Sequence, residues 1–250
     1  MWGEARRDVC FSVDVEQDRA PDTTSWRGIT EGLPRLLALL AELRIRATFF
    51  VTGESARRFP AAVGEIVAAG HELGSHGDQH IRFDRVSLEE ARRDVGRSLE
   101  ALSKHSERVM SFRAPYLRMP ERLLPMLSDM GLRIDSSEGR HKNPLATVRR
   151  QDALARVPTS VVPAVLWWPA ALRDAVLRAF GQPLVLYVHP WELVDFGAGE
   201  PRRSPRFSAR SPSTRAVPRL HDMLTRLQAR GASFFPIEEV ASRWMTATSG

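Results

Sequence analysis

Four short stretches of this 250-residue chain concentrate the side chains that do chemistry. The first is Phe11-Ser12-Val13-Asp14-Val15-Glu16-Gln17-Asp18, in which carboxylates follow directly on an apolar, strand-like run. In parallel α/β folds the C-terminal ends of strands face the active site. A carboxylate buried there costs desolvation free energy unless it meets a cation. The plainer reading of the same acids is a turn or helix cap at a strand end. The second stretch runs from Gly70 through His71, Glu72, Leu73, Gly74, Ser75, His76, Gly77, Asp78 and Gln79 to His80. His76 and His80 are four apart, so on a helical turn both rings project from one face. Two neutral imidazoles at that spacing can share one divalent metal, most commonly zinc. A lone His-x-x-x-His also arises by chance on helices. Here Gly70 and Gly74 flank a short strand and suggest a tight turn instead. His71 reads as a structural, hydrogen-bonding histidine.

The third stretch is Phe112-Arg113-Ala114-Pro115-Tyr116, again just past a strand. Arginine fixes a carboxylate through a bidentate pair, and the proline pins the turn that follows. A surface salt bridge with a packed tyrosine is the plainer alternative. The fourth is Val185-Leu186-Tyr187-Val188-His189-Pro190-Trp191-Glu192. A histidine ending the most apolar strand of the chain is placed to be partly buried, which suits a general acid or base near neutral pH. A satisfied core histidine is the alternative. The only two tyrosines, Tyr116 and Tyr187, both fall in these stretches.

The elements that must position these residues alternate along the chain. Seven strands are expected over 9–13, 47–52, 72–75, 109–112, 132–134, 184–188 and 233–236. Helices are expected between and after them, over 32–43, 60–69, 87–102, 120–130, 169–180, 213–230 and 237–245. Leu33, Leu36, Leu37, Leu40 and Leu43 keep a helical period. Ser87 opens a capping-box pattern with Glu90. Strands interleaved with helices imply parallel pairing and helical crossovers. The expectation is an α/β fold, an incomplete or distorted β/α barrel, forming a single domain over 1–250. Two segments break the pattern, 137–163 and 195–212, and loops of that length inside a domain are usually functional or disordered.

Composition sets outer bounds. A hydrophobic fraction of 43% and a charged fraction of 26% exclude a disordered or fibrous chain. The single cysteine, Cys10, excludes an internal disulfide framework and a Cys-rich metal site. The longest uncharged stretch, 157–172, holds Pro158, Pro163 and Pro169 and is too short to span a membrane. The polar start lacks the apolar segment of a secretory signal, so a cytoplasmic location is expected. A net charge of +6 and a pI near 10.5 favour anionic partners. Six arginines and no acid occupy 201–219. That stretch reads as a solvated loop, a lid or an anion contact, and is the one candidate for peripheral contact with a membrane surface. No nucleic-acid-binding signature occurs, and nucleic acid is not expected as a partner.

Taken in order, the four stretches resemble the NodB-homology polysaccharide deacetylases, carbohydrate esterase family 4. Ala47-Thr-Phe-Phe-Val-Thr and Gly70-His-Glu-Leu-Gly-Ser-His look like that family's signature stretches, and Asp135-Ser136-Ser137 resembles its fourth motif. The resemblance spans roughly 9–191. It implies a distorted (β/α)7 barrel that uses a divalent metal, zinc being expected, to hydrolyse an N-acyl amide. The substrate would be an amino sugar in a polysaccharide or a lipid-linked glycan. The family's two adjacent aspartates are replaced here by Asp14-Val15-Glu16. This variant is similar to cytoplasmic-type deacetylases of exopolysaccharide systems, which share His-Pro-Trp-Glu, and to deformylases of lipid-linked aminoarabinose, which also match 26–40. By matching, Asp14 takes the place of the catalytic base, held by Arg113, and His189 that of the acid. Glu16, His76 and His80 take the metal positions, and Tyr116 and Trp191 the substrate side. The swapped assignment, with Asp14 on the metal, stays open. Trp167 and Trp168 are expected in the core. Two other functions share the fold: a noncatalytic glycan-binding barrel, and an amidohydrolase of a small cyclic nitrogen compound.

Overall fold

Strand β1 (Arg7–Val15) sets the pattern for the whole molecule. Successive side chains of a strand point to opposite faces. Val9, Phe11, Val13 and Val15 therefore point one way, into the main core with Leu33, Leu36, Leu40, Leu220 and Leu224. Cys10, Ser12 and Asp14 point the other way, into the inside of a curled sheet. In this computed structural model, which describes residues 7–18, 25–196 and 213–247, that inner face rises from an apolar floor to a charged mouth.

Eight more strands surround β1. They are β2 (Thr48–Val51), β3 (Glu72–Ser75), β4 (Ser111–Phe112), β5 (Ile134–Asp135), β6 (Arg149–Gln151), β7 (Leu154–Arg156), β8 (Leu184–Val188) and β9 (Ala232–Phe234). Their order is β6-β7-β5-β4-β3-β2-β1-β8. Val9 pairs with both Leu184 and Phe234, so β9 extends the β2 side of β1. Every pairing is parallel except β6 with β7. Just past β7, Ser160 N donates to Val185 O at 2.7 Å, which brings the far side of the sheet back to β8. The result is the expected distorted β/α barrel.

The crossovers are α1 (Leu33–Glu42), α2 (Gly53–Arg58), α3 (Pro60–Ala68), α4 (Leu88–Leu102), α5 (Leu124–Asp129), α6 (Ala170–Ala179) and α7 (Ser213–Ala229), with α8 (Ile237–Ala247) last. The capping box at Ser87 and Glu90 is formed. Leu36 and Leu40 of α1 are fully buried, each contributing about 1.5–3 kcal/mol of hydrophobic stabilisation. Ile237 and Val240 of α8 close the floor against Cys10, Phe50 and Val185. Trp167 and Trp168 pack against the main core, as expected.

The structure corrects the count of strands. The seven expected strands are present, β3 and β8 at the expected bounds and the others with ends shifted by one or two residues. The extra two, β6 and β7, form a hairpin inside the stretch 137–163 that was expected to be irregular. Its sequence, Arg149-Arg-Gln-Asp-Ala-Leu-Ala-Arg156, has no apolar alternation to betray it. Helix α2 was also not expected. At six residues it is too short to show a period, and it is fixed by its cap, where the Thr52 side chain accepts from Ser55 N. The basic stretch 201–219 lies outside the described residues up to 212, and from Ser213 it is the opening of α7. Among the described residues no helix is long and apolar enough to cross a membrane.

His71 is structural, as its sequence context implied. Its Nδ1 accepts the Ala47 N–H at 3.2 Å, and its ring lies 4.9 Å from that of Phe49. Burial pushes its pKa down to about 4, from an ordinary value near 6.5. The folded state keeps this ring neutral where the unfolded chain already binds a proton, so stability falls as pH drops from 6.5 towards 4. Residual water contact reduces the full effect to about 2 kcal/mol. Urea unfolding of the native chain and His71→Gln between pH 7 and pH 4.5 should show this slope in the native chain and its loss in the variant.

Candidate metal centre

The sheet register explains why the site forms where it does. Asp14 pairs with Phe50, which pairs with Gly74, and Ser75 pairs with Phe112. One step further along each strand, the inward positions are Glu16, His76 and Arg113. On the other side of β1, Val13 pairs with Val188, so the next residue of that strand is His189.

Glu16 is the centre of this ring. Its Oε2 lies 3.1 Å from His76 Nε2 and 2.5 Å from His80 Nε2. Ligand atoms of the three residues all lie within 4.8 Å of one another, and Glu16 and His76 are buried. The Arg113 carbonyl sits 2.7 Å from His76 Nδ1 and so takes that proton. The lone pair of His76 Nε2 is thereby turned towards a carboxylate oxygen. Two acceptors facing each other need a cation between them, a proton or a metal ion. A backbone carbonyl that fixes the far nitrogen of a histidine is also the usual outer support of a metal ligand. Burial alone would raise the Glu16 pKa, but His80, His76 and His189 outweigh it and hold the carboxyl well below its ordinary range. The donor set of one carboxylate and two imidazoles fits a divalent metal.

The two histidines do not lie on a helical turn, contrary to the simplest reading of their spacing. They sit on a loop after β3 in which Gly77 has φ +74° and His80 has φ +52°. Its N–H groups at Asp78 and Gln79 donate to the Asp94 carboxylate of α4, at 2.8 and 3.1 Å. Its carbonyls at Gly77 and Asp78 accept from the first N–H groups of α2. With the backbone claimed from both sides, a helix cannot form, and the loop brings the imidazoles to 5.3 Å between centroids.

Below this layer lies Arg113, fully buried. Its Nη1 donates to Asp14 Oδ1 at 2.7 Å and to Ser12 Oγ at 2.9 Å. Nη2 donates to Ser136 Oγ at 3.0 Å, and Nε to the Ser136 carbonyl at 3.3 Å. The pair with Asp14 is therefore single rather than bidentate, because the remaining donors are taken by the serines. The guanidinium also lies over the Phe50 ring at 4.2 Å and the Tyr187 ring at 5.3 Å. The stretch Asp135-Ser136-Ser137 supports it. Ser137 Oγ accepts from Ala114 N at 2.7 Å, and Asp135 pairs with Arg156 at 2.6 Å.

His189 places Nε2 3.8 Å from Glu16 Oε1. Glu192 Oε2 accepts the His189 backbone N–H at 3.0 Å and lies 3.8 Å from Nδ1. Burial opposes a charge on this ring, yet the carboxylates of Glu192, Glu16 and Asp14 outweigh it and raise its pKa to about 9. Trp191 stacks on the same ring at 4.7 Å and 20°. Gly28, in a π-helical turn (Gly28–Gly32), makes room for this hook, since a Cβ there would lie 2.7 Å from Trp191 N. Asp18, from the first stretch, accepts the Gly28 N–H at 2.8 Å. Tyr116 has φ +61°, is 44% exposed, and lays its ring 4.7 Å from that of His80.

Asp14, Glu16, His76, His80, Arg113, Tyr116, His189 and Trp191 thus lie in or beside one site, whereas His71, Trp167 and Trp168 do not. The sequence reading gave no role to Ser12, Phe50, Asp94 or Glu192. Ser12 and Phe50 had a signal in strand alternation, and Glu192 in its capping spacing. Asp94 had none.

Residues 18–134 match the family model for polysaccharide deacetylase, just under half of the chain. Over that stretch the chain is similar to the polysaccharide deacetylases. The match takes in His76, His80, Arg113 and Tyr116, and stops short of Asp14, Glu16, His189 and Trp191. The peptidoglycan-N-acetylglucosamine deacetylase of Bacillus cereus is 30% identical over 105 residues, 42% of this chain and 38% of its own. The chitooligosaccharide deacetylase of Sinorhizobium fredii is 28% identical over 197 residues, 76% of this chain and 79% of its own. The chain covers less than half the length of the Bacillus cereus relatives. Among solved structures, a candidate polysaccharide deacetylase from Mycobacterium smegmatis has the same fold. It superposes with a TM-score of 0.73 at 22% identity, over 99% of this chain and 93% of that one. A family 4 pseudoenzyme from Bacillus anthracis also shares the fold of the deacetylase domain, with a TM-score of 0.63 at 17% identity over 96% and 66% of the two chains.

The buried pair makes a prediction about stability. Arg113→Met keeps the length of the side chain but leaves Asp14 buried without its cation. The expected loss is about 3–5 kcal/mol by urea unfolding, against about 1 kcal/mol for Ser136→Ala. Equal losses would mean that the ion pair is not what holds the barrel interior.

Proposed function

We propose that this chain is a metal-dependent hydrolase that removes an N-acyl group, acetyl or formyl, from an amino sugar in a polysaccharide or lipid-linked glycan. Residues 1–250 would form one domain of this type, with zinc as the metal. The observation that carries the proposal is the convergence of Glu16, His76 and His80 on one point, beside an Asp14 held by Arg113. The curated relatives named above as deacetylases of peptidoglycan and chitooligosaccharides support an N-acetylated glycan as the substrate.

In this reading Glu16, His76 and His80 would hold the metal, which when bound would supply Lewis-acid chemistry, a lowered pKa for a water and polarisation of an amide carbonyl. Asp14 accepts the proton of the attacking water, and Arg113 fixes the carboxylate for that task. His189 is kept protonated by the surrounding carboxylates and gives its proton to the departing nitrogen. An amine leaves poorly without that proton, so His189 is the group whose loss slows turnover most selectively. The backbone N–H at Tyr116 meets the negative charge that develops on the carbonyl oxygen. Trp191 holds His189 by its stack and offers an apolar face to the sugar.

A second reading has one observation in its favour: the same fold is found in a pseudoenzyme. A noncatalytic barrel would bind metal and glycan without turnover.

Calorimetry with zinc and acyl release from N-acetyl and N-formyl hexosamine oligomers separate these cases. His76→Ala and His80→Ala should lose zinc binding and activity together. His189→Ala should keep zinc and lose ~10²–10⁴-fold in kcat. Normal zinc binding by His76→Ala would overturn the ligand set. Zinc binding without release of any acyl group by the native chain would favour the noncatalytic barrel.

A further inference from the structure

One wall of the site carries charge that the proposed chemistry does not use. Arg82 follows His80 by two residues and Arg118 follows Tyr116 by two. Lys142 reaches the same place from the far side, its Nζ donating to the carbonyls of Tyr116 at 2.9 Å and Leu117 at 3.2 Å. A single acid serves the three cations. Asp84 takes both a 2.9 Å and a 2.5 Å contact from Arg82, and a 3.3 Å contact from Arg118. Among the described residues no other carboxylate pairs with them. Two positive charges are therefore left uncompensated. Partial burial lowers the Lys142 pKa, and the nearby charges of Arg118 and Arg82 lower it further. The side chains of Arg82 and Arg118 keep 30% and 48% of their surface open to solvent.

This cluster adjoins the metal centre through Tyr116, whose ring lies beside His80 and whose carbonyl anchors Lys142. A glycan whose acyl-amino group reaches Glu16 past Tyr116 would lay a neighbouring sugar against these cations. Arginine and lysine at such a rim recognise planar carboxylates and phosphates.

We propose that Arg82, Arg118 and Lys142 form an anion subsite for a carboxylate or phosphate on the sugar unit next to the N-acylated one, so that the preferred substrate is an acidic glycan. The proposal rests on the deacetylase reading for its substrate. It adds to that reading which glycans the site selects.

The test compares three ligands on the zinc-loaded protein. They are a neutral N-acetylglucosamine tetramer, an alternating glycan whose second sugar bears a lactyl carboxylate, and an N-acetylglucosamine oligomer bearing a phosphomonoester. Kd is read by calorimetry and KM by acyl release. The native protein should prefer an acidic glycan over the neutral one by about fivefold at low salt, and the preference should fade at 0.3 M salt. The stronger of the two acidic ligands identifies the anion. Arg118→Gln/Lys142→Gln should bring the ratio of neutral to acidic Kd close to one, and Asp84→Asn should increase it. No preference in the native protein, no binding of either acidic glycan, or an unchanged ratio in both variants would overturn the subsite. A clear preference in Kd with no acyl release from any of the three would support the subsite and overturn the hydrolase reading alone.

Discussion

A fully buried guanidinium organises the inside of this barrel. Arg113 is taken out of water, which costs several kcal/mol unless its charge and its N–H groups are all met. The fold meets them from four strands or their ends: Asp14 and Ser12 from β1, the Phe50 ring from β2, Ser136 just after β5 and the Tyr187 ring from β8. None of these groups can move far without leaving a buried charge unpaired. The Arg113 carbonyl, in turn, is the acceptor that orients His76. One residue thus ties the interior of the sheet to the ligand layer above it.

The layer above depends on a different constraint. A strand can deliver one inward residue at its end, so β1 supplies Glu16 and β3 supplies His76. The third donor, His80, needs a chain that doubles back within four residues. Gly77 and the carboxylate of Asp94 provide that, and α2 takes up the carbonyls the loop exposes. The longer side chain of glutamate suits this geometry. Standing two residues beyond Asp14 on the same face, Glu16 reaches the imidazoles while Asp14 stays at the level of Arg113. This division supports Glu16 rather than Asp14 as the carboxylate that would hold a metal.

Much of this was legible in the sequence because it follows from periodicity and strand ends. Val9-Cys-Phe-Ser-Val-Asp-Val-Glu16 alternates so cleanly that the inner and outer faces of β1 can be assigned by inspection. His189 at the end of an apolar run is equally plain. The loop conformation at His76–His80 was not legible, because it is imposed by Asp94, sixteen residues beyond Asp78 on another element. The bidentate geometry expected for Arg113 failed for a similar reason: alternation puts Ser12 on the inner face and Ser136 falls in a recognised stretch, but only the fold brings both to the remaining donors of the guanidinium. The hairpin of β6 and β7 escaped notice because one of its strands, Arg149-Arg-Gln151, is polar throughout and its pairing is set by the neighbouring sheet. Arg82, Asp84, Arg118 and Lys142 come from three separate stretches of the chain, and only the fold gathers them around Tyr116.

The central claim is that Glu16, His76 and His80 together hold one dication. Anomalous diffraction at the zinc edge, from crystals of the full chain grown with zinc, addresses it directly. The account predicts a single strong peak within bonding distance of Glu16 Oε2 and the Nε2 atoms of both histidines, with Asp14 still against Arg113. A peak that is coordinated by Asp14 and leaves Glu16 aside, or no peak between the two imidazoles, would contradict it.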